Sequence, residues 1–335
     1  MVASAHETLH SETFGAAGED SIFSIASMTK AITTVAAMQL VEQGKVLLDE
    51  PVSRHLPLLA NPQILEGSAR GPAQTPITLR HLLSQTSGFG YARWNRDLLR
   101  FAAPRGSVPP LLFEPGARWE YGVSTDWVGR LIEAVTGTGL EEYFQGAILG
   151  PLGMHDTTSI LAAEKFDRLI SSWRRRGDGS WKEDPRQLPP PLTAFTGGAG
   201  LYSTIADYTR FLQMILRGGE GILQSHSLEL MATNHIGEGS AGKMKTCIPE
   251  QSADVEFHPG ATDGFGLGFL INEQAYPGGR SAGSLAWAGL KNTFYWIDPR
   301  RGICAVIMMQ YLPFADPAAM NALDIFERAV YSDLV

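Results

Sequence analysis

The sequence predicts an α/β (α+β) protein in which both ends of the chain, residues 1–30 and 236–335, build one strand-containing lobe, and a mostly helical lobe, residues 31–235, is inserted between them. Three observations predict it. Short strand-like runs occur near the start and again after about residue 265; helical spacing broken by Pro/Gly loops fills the middle; and an almost wholly apolar helix follows directly on the first strand-like runs. The two lobes are expected to act as a single catalytic unit with the site between them.

In chain order, Leu9–Phe14 and Ile22–Ile25 read as short strands. From Met28 to Gln43, apolar residues at Ile32, Val35, Ala36 and Leu40 follow helical spacing. Ala37, Met38 and Val41 widen the stripe, so this helix is buried on most sides, and Gly44 ends it. Helical patterns follow at Ile77–Gln85, Thr125–Val135, Leu140–Ile148 and Ile205–Leu216, separated by loops such as 104–116 and 185–200. Strand-like runs return at Phe269–Asn272, Ser284–Ala288, Thr293–Ile297 and Cys304–Gln310, and a last helix spans Ala318–Tyr331. No internal repeat is visible.

Composition narrows the function. With 335 residues and 44% hydrophobic content, the chain buries one large core or two closely joined lobes. The net charge of −8 is spread along the sequence, and the one basic run, Arg174-Arg175-Arg176, is short and followed by Gly177-Asp178. Nucleic acid is therefore not an expected partner. Cys247 and Cys304 have neither metal-ligand spacing nor the density of a disulfide framework, which reads as a reducing compartment or buried thiols. Met1–Phe14 lacks the basic start and apolar core of a signal peptide, and no run reaches membrane-spanning length, so a cytoplasmic enzyme with no membrane partner is expected. No His/Glu/Cys spacing resembles a metal site, and no cofactor is implied.

Two serines stand three residues before a lysine. Ser240-Ala241-Gly242-Lys243 lies in a glycine-rich loop, where nothing fixes one side chain against the other. Ser27-Met28-Thr29-Lys30 lies where an apolar strand meets the buried helix, so Ser27 and Lys30 share a helix face about 5–6 Å apart. A lysine in an apolar site has its charged form disfavoured and can serve as a base, while backbone N–H groups at the helix start favour developing negative charge. On these residues alone, a capping serine with a lysine reaching solvent is an equal alternative.

A rival G-x-S-x-G pattern, Gly279-Arg280-Ser281-Ala282-Gly283, follows a turn rather than a core strand and precedes a strand rather than a helix. No histidine follows Ser281, because all eight lie at or before His258. It reads as a hairpin turn. His81 and His155 read as packing or capping residues.

From about residue 22 onward the chain resembles the Ser-x-x-Lys hydrolases of the serine β-lactamase-like superfamily, above all the family VIII carboxylesterases and the branch containing fungal statin side-chain acyltransferases. The resemblance rests on Ser27-Met28-Thr29-Lys30, on the run from Ile77 to Gly88, on Glu114-Pro115-Gly116 and Trp119-Glu120-Tyr121-Gly122. It continues through Gly150–Met154, Gly197–Leu201 and Trp287-Ala288-Gly289.

The resemblance implies a β-lactamase/transpeptidase-like fold with a central antiparallel sheet. It implies Ser27 as nucleophile, with Lys30 and Tyr121 passing its proton to the leaving group and activating the acceptor. It implies an oxyanion hole from the N–H groups of Ser27 and Leu290, and a pocket wall of Trp287, Ala288 and Gly289.

Two departures from the β-lactamase pattern decide the expected substrate. Val123 stands where β-lactamases and peptidases of this fold carry asparagine, and Trp287-Ala288-Gly289 stands in place of Lys-Thr-Gly. An apolar wall without a carboxylate anchor favours small-molecule carboxylic esters or thioesters, with an acyl-carrier donor in view, over penicillins. Lys291 is the nearby residue that partly substitutes. The alternatives are a β-lactamase or D-Ala-D-Ala carboxypeptidase, and a catalytically silent penicillin-binding-like module. The resemblance also leads one to expect a helix and strand ahead of Leu9–Phe14 that this sequence does not show.

Overall fold

The computed structural model describes residues 1–66, 69–101, 107–187 and 196–333, so parts of the loops predicted at 104–116 and 185–200 lie outside the described residues. Its centre is a seven-stranded sheet built from both ends of the chain. The strands are β1 (Val2–Ser4), β2 (Thr8–His10), β3 (Asp263–Phe265), β4 (Leu270–Asn272), β5 (Leu285–Gly289), β6 (Thr293–Asp298) and β7 (Ile303–Met308). They lie in the order β3-β4-β5-β6-β7-β1-β2, every neighbour antiparallel.

β5 and β6 are buried along their whole length because helices cover both faces of the sheet. Successive residues of a strand point to opposite faces, and β6 shows the consequence. Tyr295 meets Tyr208 of the helix Ile205–Leu216, with ring centres 5.3 Å apart, while Trp296 meets Phe326 of the C-terminal helix Pro317–Asp333 at 5.4 Å.

The helix after the first strands, α1 (Thr29–Glu42), is buried on all sides from Thr29 to Leu40. Ile32, Val35 and Leu40 each contribute about 1.5–3 kcal/mol of burial. Thr33 and Thr34 are tolerated there because their hydroxyls donate to the carbonyls of Thr29 and Lys30, at 3.3 and 2.8 Å. α2 (Ser124–Thr136) packs beside α1 and ends at Gly137, whose φ of +69° is left-handed.

Several elements differ from expectation. The first sheet strand is Val2–Ser4 and the next is Thr8–His10, rather than Leu9–Phe14. A strand therefore does precede the predicted one, paired to β7 through Val2–Ala305 and Ser4–Ile303. Ile77–Gln85 shortens to Leu79–Leu83, because Thr78 and His81 form a capping box at its start and Gln85 turns left-handed at φ +57°. Leu140–Ile148 remains α-helical only to Phe144 and widens into a π turn over Gln145–Leu149, where Gly146 and Gly150 weaken the helix.

A cleft of about 1450 Å³ opens between β2, the β7 end of the sheet and the C-terminal helix; Ser27, Lys30 and Tyr121 take no part in lining it. Among the described residues, no helix is long and apolar enough to cross a membrane. Both cysteines are free; Cys304 is buried, which pushes its thiol up to about 12, while Cys247 is only half-buried.

The C-terminal helix is locked to the sheet by a buried ion pair. Arg280 donates to both carboxylate oxygens of Glu327, at 2.9 and 2.5 Å. Burial works against the Glu327 charge, but Arg280 outweighs it and holds the carboxyl below its ordinary value of 4.5. A depressed folded-state value means that this stabilisation is complete above about pH 4.5 and lost as the pH falls further. Arg280→Met is expected to destabilise the protein by about 3–5 kcal/mol in denaturant titrations, and Arg280→Met/Glu327→Leu to recover most of that loss.

Candidate active site

Ser27 occupies a 3-10 turn, Ala26–Met28, between the short strand Phe23–Ser24 and α1. That strand pairs with Tyr202–Ser203. The Gln310 side chain acts as a second partner strand, accepting from the Ser24 N–H at 3.2 Å and donating to its carbonyl at 3.3 Å. Beyond the turn, the Tyr208 hydroxyl donates to the Met28 carbonyl at 3.0 Å. Thus pinned on both sides, the chain holds Ala26 at φ +44°, a left-handed conformation costly for a residue other than glycine.

One helical turn on, Lys30 is 3% exposed, and its ammonium has three acceptors for three N–H groups. These are Ser27 Oγ at 3.2 Å, Tyr91 Oη at 3.3 Å and the Gly198 carbonyl at 2.8 Å. The Gly198 N–H in turn donates to Asp126 Oδ1 at 2.8 Å. A Cβ at position 198 would stand 2.7 Å from that oxygen and 3.1 Å from Lys30 Nζ, so a side chain there would displace the Asp126 carboxylate from its place. Burial holds the Asp126 carboxyl above its ordinary value, against the pull of Lys30.

The apolar surroundings read from the sequence are one of two opposing influences on Lys30. Burial does disfavour its charge, but Tyr121, Tyr91 and Asp126 face it and outweigh desolvation, so its pKa is raised. The resting lysine is an ammonium. Burial of the Tyr91 hydroxyl, more than the opposing pull of Lys30, pushes that phenol up and keeps it protonated.

Tyr121 is buried, with Lys30 Nζ 4.9 Å from its ring centre. Tyr91, Trp94 and Trp287 surround it at centre distances of 5.2, 5.4 and 4.8 Å. Trp287 does more than form a wall: its indole N–H donates to Tyr121 Oη at 3.2 Å. A cavity of about 190 Å³ brings Ser27, Tyr121, Trp287, Ala288, Gly289 and Leu290 together. Gly289 lets β5 reach the nucleophile turn, since a Cβ there would meet the Ile25 carbonyl and Thr293 Oγ1, both at 2.3 Å.

The rival motifs are structural. Ser240 is exposed and Lys243 pairs with Glu256 at 2.9 Å. Ser281 sits in the turn before β5, its N–H donating to Asp298 at 2.8 Å. His155 is exposed, and Arg174 and Arg175 are closed by Asp184 and Asp316. Sequence reasoning missed Tyr91, Arg93 and Asp126. Tyr91 and Arg93 stand just past the matched run ending at Gly88, and Asp126 lies one helical turn beyond Tyr121-Gly122; in both places the matched motif stopped short of the site.

A buried lysine hydrogen-bonded to the half-buried serine three residues before it, beside an antiparallel sheet, is the arrangement of a serine hydrolase or acyltransferase. The chain belongs to the Beta-lactamase family, whose model matches residues 1–329. It is 32% identical over 341 residues to an "ML-236A carboxylate methylbutanoyltransferase" of Penicillium citrinum, covering 94% of this chain and 82% of that one. It is 30% identical to a "Lovastatin esterase" of Penicillium rubens, covering 93% and 85%. Among solved structures, the unliganded simvastatin synthase of Aspergillus terreus superposes with a TM-score of 0.84 at 29% identity, covering all of this chain and 93% of the other.

The close approach of β5 to the Ser27 turn yields a test. Gly289→Ala must move one of them, and a displacement near 1 Å lowers catalysis by ~100-fold. The expected result is that loss in ester kcat/KM with the far-UV circular dichroism retained.

Proposed function

We propose that the protein is an esterase or transesterase that works through an acyl-Ser27 intermediate on small carboxylic esters or thioesters, as family VIII carboxylesterases do. The observation that carries this reading is Ser27 Oγ lying 3.2 Å from Lys30 Nζ in a cavity it shares with Tyr121 and an apolar wall. Ser27 Oγ adds to the acyl carbon as the Lys30 ammonium releases a proton through Tyr121 to the departing oxygen or sulfur, and the proton of Ser27 Oγ restores that ammonium. Water or an acceptor alcohol then adds to the acyl-enzyme along the reverse route.

The N–H groups of Ser27 and Leu290, on the two elements joined at Gly289, are the donors assigned to the oxyanion. Trp287 and Ala288 form the apolar wall in place of a carboxylate anchor. Lys291 is half-buried, and burial lowers its pKa. Acyl transfer beside hydrolysis is supported by the transferase names among the relatives, and an acyl-carrier thioester is the donor consistent with that transfer. The same reading divides the chain into a sheet lobe, 1–30 with 236–335, and a helical lobe, 31–235, acting as one catalytic unit. It takes the free Cys247 and Cys304 as support for a cytoplasmic setting.

The test is turnover of p-nitrophenyl esters beside nitrocefin. Wild-type protein is expected to prefer the ester, Ser27→Ala to abolish turnover, and Tyr121→Phe to lower kcat by ~10²–10⁴-fold. Full ester turnover by Ser27→Ala overturns the reading. Nitrocefin turnover above ester turnover replaces it with a β-lactamase or peptidase, and failure of a fluorophosphonate to label Ser27 replaces it with a silent binding module.

A further inference from the structure

Two cavities meet at the β5 wall, and one pair of rings divides them. The first is the active-site cavity of about 190 Å³. The second, of about 40 Å³, lies between Leu270 and Ala286 of the sheet, Leu323 of the C-terminal helix and the polar side chains of His258, Arg280 and Glu327. Among the described residues, Phe257 and Trp287 alone line both, with ring centres 5.7 Å apart.

Neither ring is loosely held. Trp287 is buried, and its indole N–H is committed to Tyr121 Oη at 3.2 Å. Phe257 is half-buried, and the chain is fixed on both sides of it. Just before it, Val255–Glu256 pairs antiparallel with Lys243–Met244, which brings Met244 to the active-site cavity as well. Just after it, His258 Nδ1–H donates to Asp263 Oδ2 at 2.8 Å, with both side chains buried. The Phe257 side chain carries no polar group, so what it contributes is the space it fills.

The proton route sets which part of a substrate meets this partition. Tyr121 passes a proton to the departing oxygen, so that oxygen lies beside Tyr121 Oη. Trp287 Nε1 stands 3.2 Å from the same hydroxyl, so the alcohol part leads out along Trp287 and reaches Phe257. An acceptor alcohol enters by the route on which the leaving alcohol departs. The two substituents of an ester carbonyl diverge, so the acyl chain leaves Ser27 in another direction. We propose that the Phe257 ring ends the alcohol side of the cavity and so sets the length of the alcohol that the enzyme releases and accepts. This rests on the acyl-Ser27 reading and adds a specificity-determining residue to it. Removing the ring joins the two cavities and lengthens the alcohol side without touching Ser27, Lys30 or Tyr121.

The test compares phenyl butyrate with 4-biphenylyl butyrate, whose leaving phenol is longer by one ring and otherwise alike. The quantity read is the ratio of kcat/KM for the longer over the shorter ester. Wild-type protein is expected to favour phenyl butyrate. Phe257→Ala raises the ratio by ~10–100-fold, the range of burying one further ring, and Phe257→Leu, which keeps an apolar side chain in the wall, raises it by less. A parallel pair, phenyl octanoate over phenyl butyrate, varies the acyl chain instead, and its ratio is expected to stay the same in both variants.

A wild-type enzyme that turns over both butyrates with equal kcat/KM overturns the Phe257 assignment while leaving the acyl-Ser27 reading standing. So does an equal fall for both butyrates in Phe257→Ala and Phe257→Leu, which marks a packing role, and so does a shift of the octanoate ratio in place of the biphenylyl ratio, which puts the acyl chain against Phe257. A wild-type enzyme that turns over none of these esters, with Ser27 unacylated, overturns the acyl-Ser27 reading and the proposal with it.

Discussion

Lys30 is a full charge with almost no access to water, and the site is organised around satisfying it. Moving an ammonium into such surroundings costs several kcal/mol unless acceptors and opposite charge are supplied there. The Gly198 carbonyl, Tyr91 and Ser27 supply the acceptors, and Asp126 supplies the charge. Each of these comes from a different part of the chain. The helix that carries Lys30, the loop that carries Gly198 and the helix that carries Asp126 must therefore pack together for the charge to be tolerated. Ser27 Oγ is one of the three acceptors, so the same requirement sets the nucleophile at hydrogen-bond distance from the lysine.

A resting ammonium changes what Lys30 contributes. It acts first as a source of positive potential for whatever negative charge forms beside it, and it moves a proton only as part of a group with Tyr121 and Ser27. The indole N–H of Trp287 is directed at Tyr121 Oη. Trp287 thereby joins two features that look separate in the sequence, the apolar third motif and the tyrosine.

Much of this was legible in the sequence, and the exceptions have physical reasons. Helical spacing from Met28 onward located α1, because a helix buried on every side needs apolar residues throughout; the late strands were legible for the same reason. Val2–Ser4 was not, since three residues carry no periodicity and their pairing with β7 is set by partners 300 residues away. Only half of the balance on Lys30 was legible, because desolvation follows from an apolar helix, whereas Asp126 and Gly198 approach Lys30 only in the folded chain.

The central claim is that Ser27, held against Lys30 and beneath the β5 wall, becomes covalently acylated. Intact-mass spectrometry of protein mixed rapidly with a short-chain p-nitrophenyl ester, followed by peptide mapping, tests it most directly. The account predicts a mass increase of one acyl group, located on the peptide containing Ser27 and absent in Ser27→Ala. Acylation of Ser281, Ser240 or any other residue, or steady ester turnover with no acyl-enzyme formed at Ser27 in a quenched reaction, would contradict it.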